Sequence, residues 1–223
     1  MDRTVIVAGG TGGLGSAVTA EFLAAGWRVV VPGRQEATLA ALGSHKALTT
    51  VVADLSDPAG AQATAAVATG DEAAPLGALV NLVGGFAQAG RVHETPIEEF
   101  EAMVRLNLRP TYLITQAALP HLIAAGGGAI VCTSSRAALR PFPGATGYIT
   151  AKAGVLALVD ALAVEYAKDH IRVNAIVPAT VDTPANRRDL SGDPSKWTPP
   201  TRIAGVIRFL CENDSLTGAH LPV

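Results

Sequence analysis

A chain of 223 residues is long enough for one domain with a sizeable core and short for two. Its net charge of −2 offers no electrostatic hold on nucleic acid or on an anionic membrane, and its 16% of charged residues lies well under the roughly 25% usual for a soluble domain. That shortfall, with 49% hydrophobic residues, points to a large core, a buried subunit interface, or both.

No apolar run approaches the ~20 residues of a membrane span, because Asp160 interrupts the longest candidate, Val155 to Val164. Met1-Asp2-Arg3 leads straight into a strand pattern, so no signal peptide is expected. Cys132 and Cys211 make no disulfide framework, and the histidines have no metal-ligand spacing. These features predict a reduced, cytoplasmic, metal-free protein.

The chain opens with a short apolar run, Thr4 to Ala8, that ends in Gly9-Gly10-Thr11-Gly12-Gly13-Leu14-Gly15. An apolar helical pattern follows from about Ser16 to Ala25. Strand, glycine turn and helix make the phosphate-binding unit of a dinucleotide fold. The glycines let the backbone approach a pyrophosphate, and the helix N-terminus offers it unpaired N–H groups. Gly10, Gly12 and Gly15 fit one spacing of this motif, and Gly9, Gly13 and Gly15 fit another.

Arg28 to Pro32 reads as the second strand, followed by Gly33-Arg34. A carboxylate is expected near this point if the ribose 2′-hydroxyl is free. Arg34 stands there instead, and a guanidinium pairs with a 2′-phosphate that a carboxylate would repel. NADP(H) is therefore expected over NAD(H), unless Arg34 is a solvated loop residue and Glu36 reaches back to the hydroxyl. Ala47 to Ala53 is a third strand, ending at Asp54-Leu55, where the Asp can accept the adenine amino group or cap the next helix. Ala59 to Ala74 suits a helix, and Ala78 to Val83 a fourth strand that runs into Gly84-Gly85.

After a loop over residues 84–95, Ile97 to Leu108 reads as amphipathic helix containing Asn107, and Pro110 to Ala125 continues as helix. A buried helical Asn can open the local ladder and hold a water, or it can decorate the surface. Ala129 to Thr133 is the fifth strand, followed by Ser134-Ser135, either of which could cap a helix or sit in a turn. A long helix from Thr146 to Lys168 carries Tyr148 and Lys152, four residues apart and on one face. A free phenol with a pKa of ~10 is a poor acid–base group at neutral pH, and a neighbouring ammonium lowers that value. Arg172 to Val177 is the sixth strand, ending at Pro178. The polar, proline-rich stretch 179–199 suits a substrate-side lid, Pro200 to Glu212 is a last helix and Ala219 to Val223 a last strand.

Strands alternating with helices predict an α/β Rossmann-type fold. It is a doubly wound parallel sheet of about seven strands with helices on both faces, in a single domain spanning 1–223. Ligands bind such sheets at the carboxyl ends of the strands, and Gly9, Arg34, Asp54, Asn81, Ser135 and Pro178 all follow strands on that edge.

The whole pattern strongly resembles the short-chain dehydrogenase/reductase family over nearly the full chain. The segments that carry the resemblance are Gly9 to Gly15, Asp54-Leu55, Asn81 to Gly84, Ser135, Tyr148-x-x-x-Lys152 and Asn174 to Pro184. The resemblance implies an oxidoreductase acting on a small carbonyl or alcohol. Tyr148 would be the general acid, and Lys152 would lower its pKa and hold the nicotinamide ribose. Ser135 would hold the carbonyl oxygen, Asn107 would anchor a water, and Thr183 with the Val181 backbone would hold the carboxamide. By the same resemblance Gly9, Gly10, Thr11, Gly12, Gly13, Leu14, Gly15, Asp54, Leu55, Asn81, Val83, Gly84 and Pro178 would line the cofactor. Only the first Asn of the family's usual Asn-Asn-Ala-Gly is kept in Asn81-Leu82-Val83-Gly84, Ala179 replaces a usual Gly, and Ala8 stands where Thr is common.

The segment Asp182 to Arg188, with Trp197-Thr198-Pro199 beyond, also resembles the dihydropteridine reductase branch, which reduces quinonoid dihydropterins. That branch typically has an acidic cofactor-selecting residue and no catalytic serine, whereas this chain has Arg34 and Ser135. A third reading is a non-catalytic NADP(H)-binding regulatory protein, since fold does not fix function. The apolar helices at 110–125 and 146–168 predict a homodimer or homotetramer.

Overall fold

A computed structural model describes residues 2–223. Seven strands form one parallel sheet: β1 (Thr4–Ala8), β2 (Arg28–Gly33), β3 (Leu48–Val52), β4 (Leu76–Asn81), β5 (Gly128–Thr133), β6 (Ile171–Val177) and β7 (His220–Pro222). Their order across the sheet is β3-β2-β1-β4-β5-β6-β7. The order reverses between β1 and β4, which opens a crevice at their carboxyl ends.

Among the described residues nine α-helices connect the strands: α1 (Gly13–Ala24), α2 (Glu36–Ala40), α3 (Pro58–Ala68), α4 (Ile97–Asn107), α5 (Arg109–Ala124), α6 (Arg136–Leu139), α7 (Thr146–Glu165), α8 (Pro184–Asp189) and α9 (Pro200–Glu212). Alternation along the strands sorts the core into two layers. Ile6, Val30, Ile130 and Val173 face one way, toward Ile114 and Leu122 of α5 and Val155 and Val159 of α7. Val5, Val29, Val131 and Ile176 face the other way, toward Phe22 of α1 and Ile203, Ile207 and Leu210 of α9. Phe22 meets Trp27 edge-to-face with ring centroids 5.3 Å apart. Such a pair adds about 0.5–1.5 kcal/mol beyond the area it buries. Arg208 of α9 ties the two helices of that layer together, donating to Glu21 and to Glu212 at 2.7 Å each.

Several expected boundaries move, each for a local reason. The first helix starts at Gly13, inside the glycine motif, rather than at Ser16. The alanine-rich helix stops at Ala68 instead of Ala74, where Thr69 and Gly70 follow and a separate turn closes from Asp71 to Ala74. The fourth strand runs two residues earlier than expected, so Leu82 and Val83 lie beyond the sheet. Asn81 alone marks that end, since the apolar residues resume at Leu82 and Val83. One helix was expected to follow another near Pro110, and the break falls at Leu108 because Pro110 has no N–H to offer the preceding turn. The long helix ends at Glu165, and a single 3-10 turn, Ala167–Asp169, leads to His170 in the left-handed region. The short helices α2, α6 and α8 had no separate signal.

The length and hydropathy of α7 would suit a membrane span. In the fold it is a core helix, with Val155, Val159 and Leu162 packed on the sheet.

Candidate active site

The turn after β1 shows why it needs glycine. Gly9 has φ +81°, and a Cβ on Gly15 would collide with the Gly9 carbonyl oxygen. Gly12 is the N-cap of α1 and supplies no side-chain cap, so the first N–H groups of a twelve-residue helix face the turn unblocked. A cleft of about 630 Å³ opens there, lined by Gly9, Thr11, Gly12, Arg34, Asp54, Leu55, Val83 and Gly84 among others. This cradle fits the pyrophosphate of a dinucleotide, and Gly10 and Gly15 leave no room for a side chain where the turn folds on itself.

The other expected cofactor residues lie behind this wall. Gly10 and Gly15 are buried within the turn, and Leu14 packs against the core. Gly13 abuts Thr183, whose Cβ would lie 2.8 Å from an added Cβ, so the lid-side segment rests on the start of α1. Asn81 is fully buried, where its Oδ1 accepts the Val83 N–H at 3.2 Å and its Nδ2 donates to Thr111 Oγ1 at 2.6 Å. It shapes the 82–84 turn. Pro178 is buried, and its carbonyl accepts the Arg136 N–H. Thr183 caps α8 by accepting the Asn186 N–H at 3.1 Å, and the Val181 carbonyl accepts Asn186 Nδ2 at 2.8 Å.

Arg34 and Asp54 share the outer end of the cleft. Asp54 caps no helix, as Asp57 does that for α3. The Asp54 carboxylate accepts both the N–H and the hydroxyl of Ser56 at 2.9 and 2.7 Å. Those two bonds, with a smaller contribution from the Arg34 charge, hold its pKa below the usual carboxylate value. Arg109 donates to the Ser56 carbonyl at 2.9 Å and secures that loop to the start of α5.

None of the four expected catalytic residues lines this cleft, and two of them, Asn107 and Lys152, stand directly behind Gly84 of its wall. Ser135 is the N-cap of α6, accepting the Ala137 N–H at 3.2 Å, and its hydroxyl is near enough to the Tyr148 phenol to draw that group's pKa down. Lys152 is 4% exposed, and its ammonium donates to the Thr133 carbonyl at 3.0 Å. Ser134 donates to the Lys152 carbonyl at 2.8 Å, so both serines after β5 serve α7 or the site. A Cβ on Gly84 would meet Asn107 Oδ1 at 2.5 Å and Lys152 Nζ at 2.8 Å, so glycine there lets both side chains come up to the cleft wall.

One expectation is corrected. Lys152 was expected to draw the Tyr148 pKa down. Burial instead pushes the phenol above 10.0, opposed only by the Ser135 hydrogen bond, and the same burial lowers Lys152 from 10.5 to about 8. Desolvation is the larger cause of the phenol's shift, and the Lys152 charge is not among its causes. Of the two readings of Asn107, burial excludes the surface one. Its amide donates to the carbonyls of Gly85 and Met103 and accepts the Gly85 N–H, all within 3.1 Å. It clamps the loop after β4 onto the end of α4. Thr111 completes this network by donating to the Asn107 carbonyl at 2.8 Å while accepting from Asn81. Its place one turn after Asn107 was the only hint available.

A nucleotide cleft at the reversal of a parallel sheet, beside a half-buried Ser135 and Tyr148 and a buried Lys152, defines a nucleotide-dependent oxidoreductase of the Rossmann type. Residues 3–193 match the family model for short chain dehydrogenase. The 2-(R)-hydroxypropyl-CoM dehydrogenase of Xanthobacter autotrophicus is 38% identical, across 99% of this chain and 96% of its own length. Among solved structures, ElxO with NADP bound superposes with a TM-score of 0.92 at 27% identity, covering 100% of this chain and 97% of that one. A 3-ketoacyl-(acyl-carrier-protein) reductase from Brucella melitensis, complexed with NADH, gives 0.91 at 27% identity, covering 99% and 96%. The chain belongs to the short-chain dehydrogenase/reductase family.

Proposed function

We propose that the protein is an NADP(H)-dependent oxidoreductase that interconverts a small carbonyl compound and its alcohol, with Tyr148 as general acid and base. The observation that carries this reading is the Tyr148 phenol, whose pKa the Ser135 hydroxyl draws down, one helical turn from the buried Lys152 that stands behind Gly84 of the cleft wall. Bound in that cleft, the nicotinamide supplies the hydride in reduction and accepts it in oxidation.

The chain's own residues handle the proton. With its pKa raised by burial, Tyr148 is a protonated phenol at neutral pH and stands ready to donate to the carbonyl oxygen. Ser135 donates to the same oxygen as negative charge gathers on it. Lys152 shares a proton readily near pH 8 and offers its donors to the ribose hydroxyls. Asn107 keeps the second lone pair of its Oδ1 for a water that would refill the relay. Thr183 and the Val181 backbone would hold the carboxamide, and the 179–199 segment would close over the substrate as a lid.

Arg34 supports the phosphorylated cofactor, since its guanidinium lines the cleft where the 2′-phosphate would lie and no carboxylate occupies its position. NAD(H) is the weaker reading. Tyr112, Ile123 and Val164 are exposed apolar residues on α5 and α7, and they support pairing of these helices in a homodimer or homotetramer. The composition supports a cytoplasmic protein that engages neither nucleic acid nor a membrane.

The test is to titrate purified protein with NADPH and NADH, then to follow oxidation of the bound nucleotide with aldehydes, ketones and quinonoid dihydropterin. NADPH preference with ketone turnover is the expected result. Turnover confined to the dihydropterin moves the protein to that branch. Tight binding without turnover makes it the regulatory form.

A further inference from the structure

A second recess lies on the Tyr148 side of the site and differs in chemistry from the nucleotide cleft. It has a volume of about 290 Å³, and its wall includes Ala89, Val92, Phe100, Met103 and Tyr148. The large cleft is lined by three guanidiniums, those of Arg34, Arg105 and Arg109. Among the described residues no Lys, Arg or His lines the smaller recess, and Glu99 is its one carboxylate. A dinucleotide has nothing to bind there, and an anion would meet only a like charge.

The recess is built into the fold. The Ala89 N–H donates to the Gly144 carbonyl at 2.7 Å, which joins the loop after β4 to the loop before α7. Gly147 lets α7 approach α4 closely, since a Cβ there would lie 3.2 Å from the Phe100 Cα. On its other flank Tyr148 meets Phe86 edge-to-face at 5.1 Å, so the ring is held between an aromatic neighbour and the recess.

We propose that this recess takes the uncharged, apolar substituent of the carbonyl substrate, so that the enzyme's substrates are neutral alkyl or aryl-alkyl ketones and alcohols. The proposal rests on Tyr148 being the proton donor. A group seated against the Tyr148 ring is then attached to a carbonyl within reach of its hydroxyl. The volume is roughly twice the ~150 Å³ cavity that accepts benzene, which suits one ring with a short chain.

Met103 provides the probe, because it is the only methionine besides Met1. Protein carrying [13C-methyl]methionine and saturated with NADP⁺ is titrated with acetone, 2-octanone, 4-phenyl-2-butanone and the anionic ketone levulinate. The expected result is a saturable shift of the Met103 methyl signal with the two larger neutral ketones and none with levulinate. In parallel, kcat/KM should rise by about fourfold per methylene buried, and Val92→Trp, which fills the recess, should flatten that rise. A Met103 signal that no ketone moves overturns the proposal, whether because a second copy of the chain fills the recess or because substrates sit elsewhere. Ketone turnover with a silent Met103 leaves the reductase reading standing without this subsite. A Met103 shift without turnover does the reverse.

Discussion

Replacing Lys152 with Met should make the protein more stable at neutral pH while removing its activity. Lys152 is 4% exposed, and burial lowers its pKa from 10.5 in an unfolded chain to about 8. At about 1.36 kcal/mol per pH unit, holding that proton in the folded state costs ~3 kcal/mol. The hydrogen bond from its ammonium to the Thr133 carbonyl returns about 1 kcal/mol. Lys152→Met should therefore gain roughly 2 kcal/mol at pH 7, or ~4–8 °C in Tm for a domain of this size. The sign can be checked through pH. Because the folded value is depressed, the unfolded chain holds the extra proton between about pH 8 and 10.5, and wild-type stability rises through that window relative to the variant. Urea unfolding of both proteins at pH 7, 8, 9 and 10 measures this difference. A gap that stays constant with pH, or a variant less stable than wild type at pH 7, refutes the reasoning.

Ser135→Ala should lower kcat by about 10²–10³-fold as an oxygen-stabilising donor is lost. It should also move the alkaline rise of alcohol oxidation to higher pH, because the Ser135 bond is what opposes the upward shift of Tyr148. Arg34→Glu should weaken NADPH by about 10- to 100-fold relative to NADH, measured by fluorescence titration, because a carboxylate would repel the 2′-phosphate. Gly84→Ala should fold but lose about 10²-fold in kcat, since the new methyl group displaces Asn107 and Lys152 together.

The features legible in the sequence were those carried by short-range pattern. The glycine turn, the alternation of strand and helix, and the Tyr148/Lys152 spacing each fit within a dozen residues, and α9 falls at its expected bounds. What escaped depends on contacts between distant segments. The Asn107 clamp on Gly85 spans 22 residues. The Asn81–Thr111 bond spans 30. Neither leaves a periodic trace. The direction of the Tyr148 pKa shift was misread for the same reason. Spacing on a helix gives proximity, whereas desolvation depends on the strands and loops packed around both groups. The recess between α4 and α7 was equally invisible, since Phe100 and Met103 read as ordinary apolar helix positions.

The most direct test of Tyr148 as the proton donor is the Tyr148→Phe variant, assayed for NADPH affinity and for single-turnover oxidation of bound NADPH by a ketone that the wild type reduces. Affinity should stay within a few-fold of wild type, because the phenol contributes little to the cleft's hold on the pyrophosphate. The rate should fall by about 10²–10⁴-fold with the loss of general acid catalysis. A Tyr148→Phe enzyme that turns over within a few-fold of wild type would contradict the assignment of the proton to Tyr148.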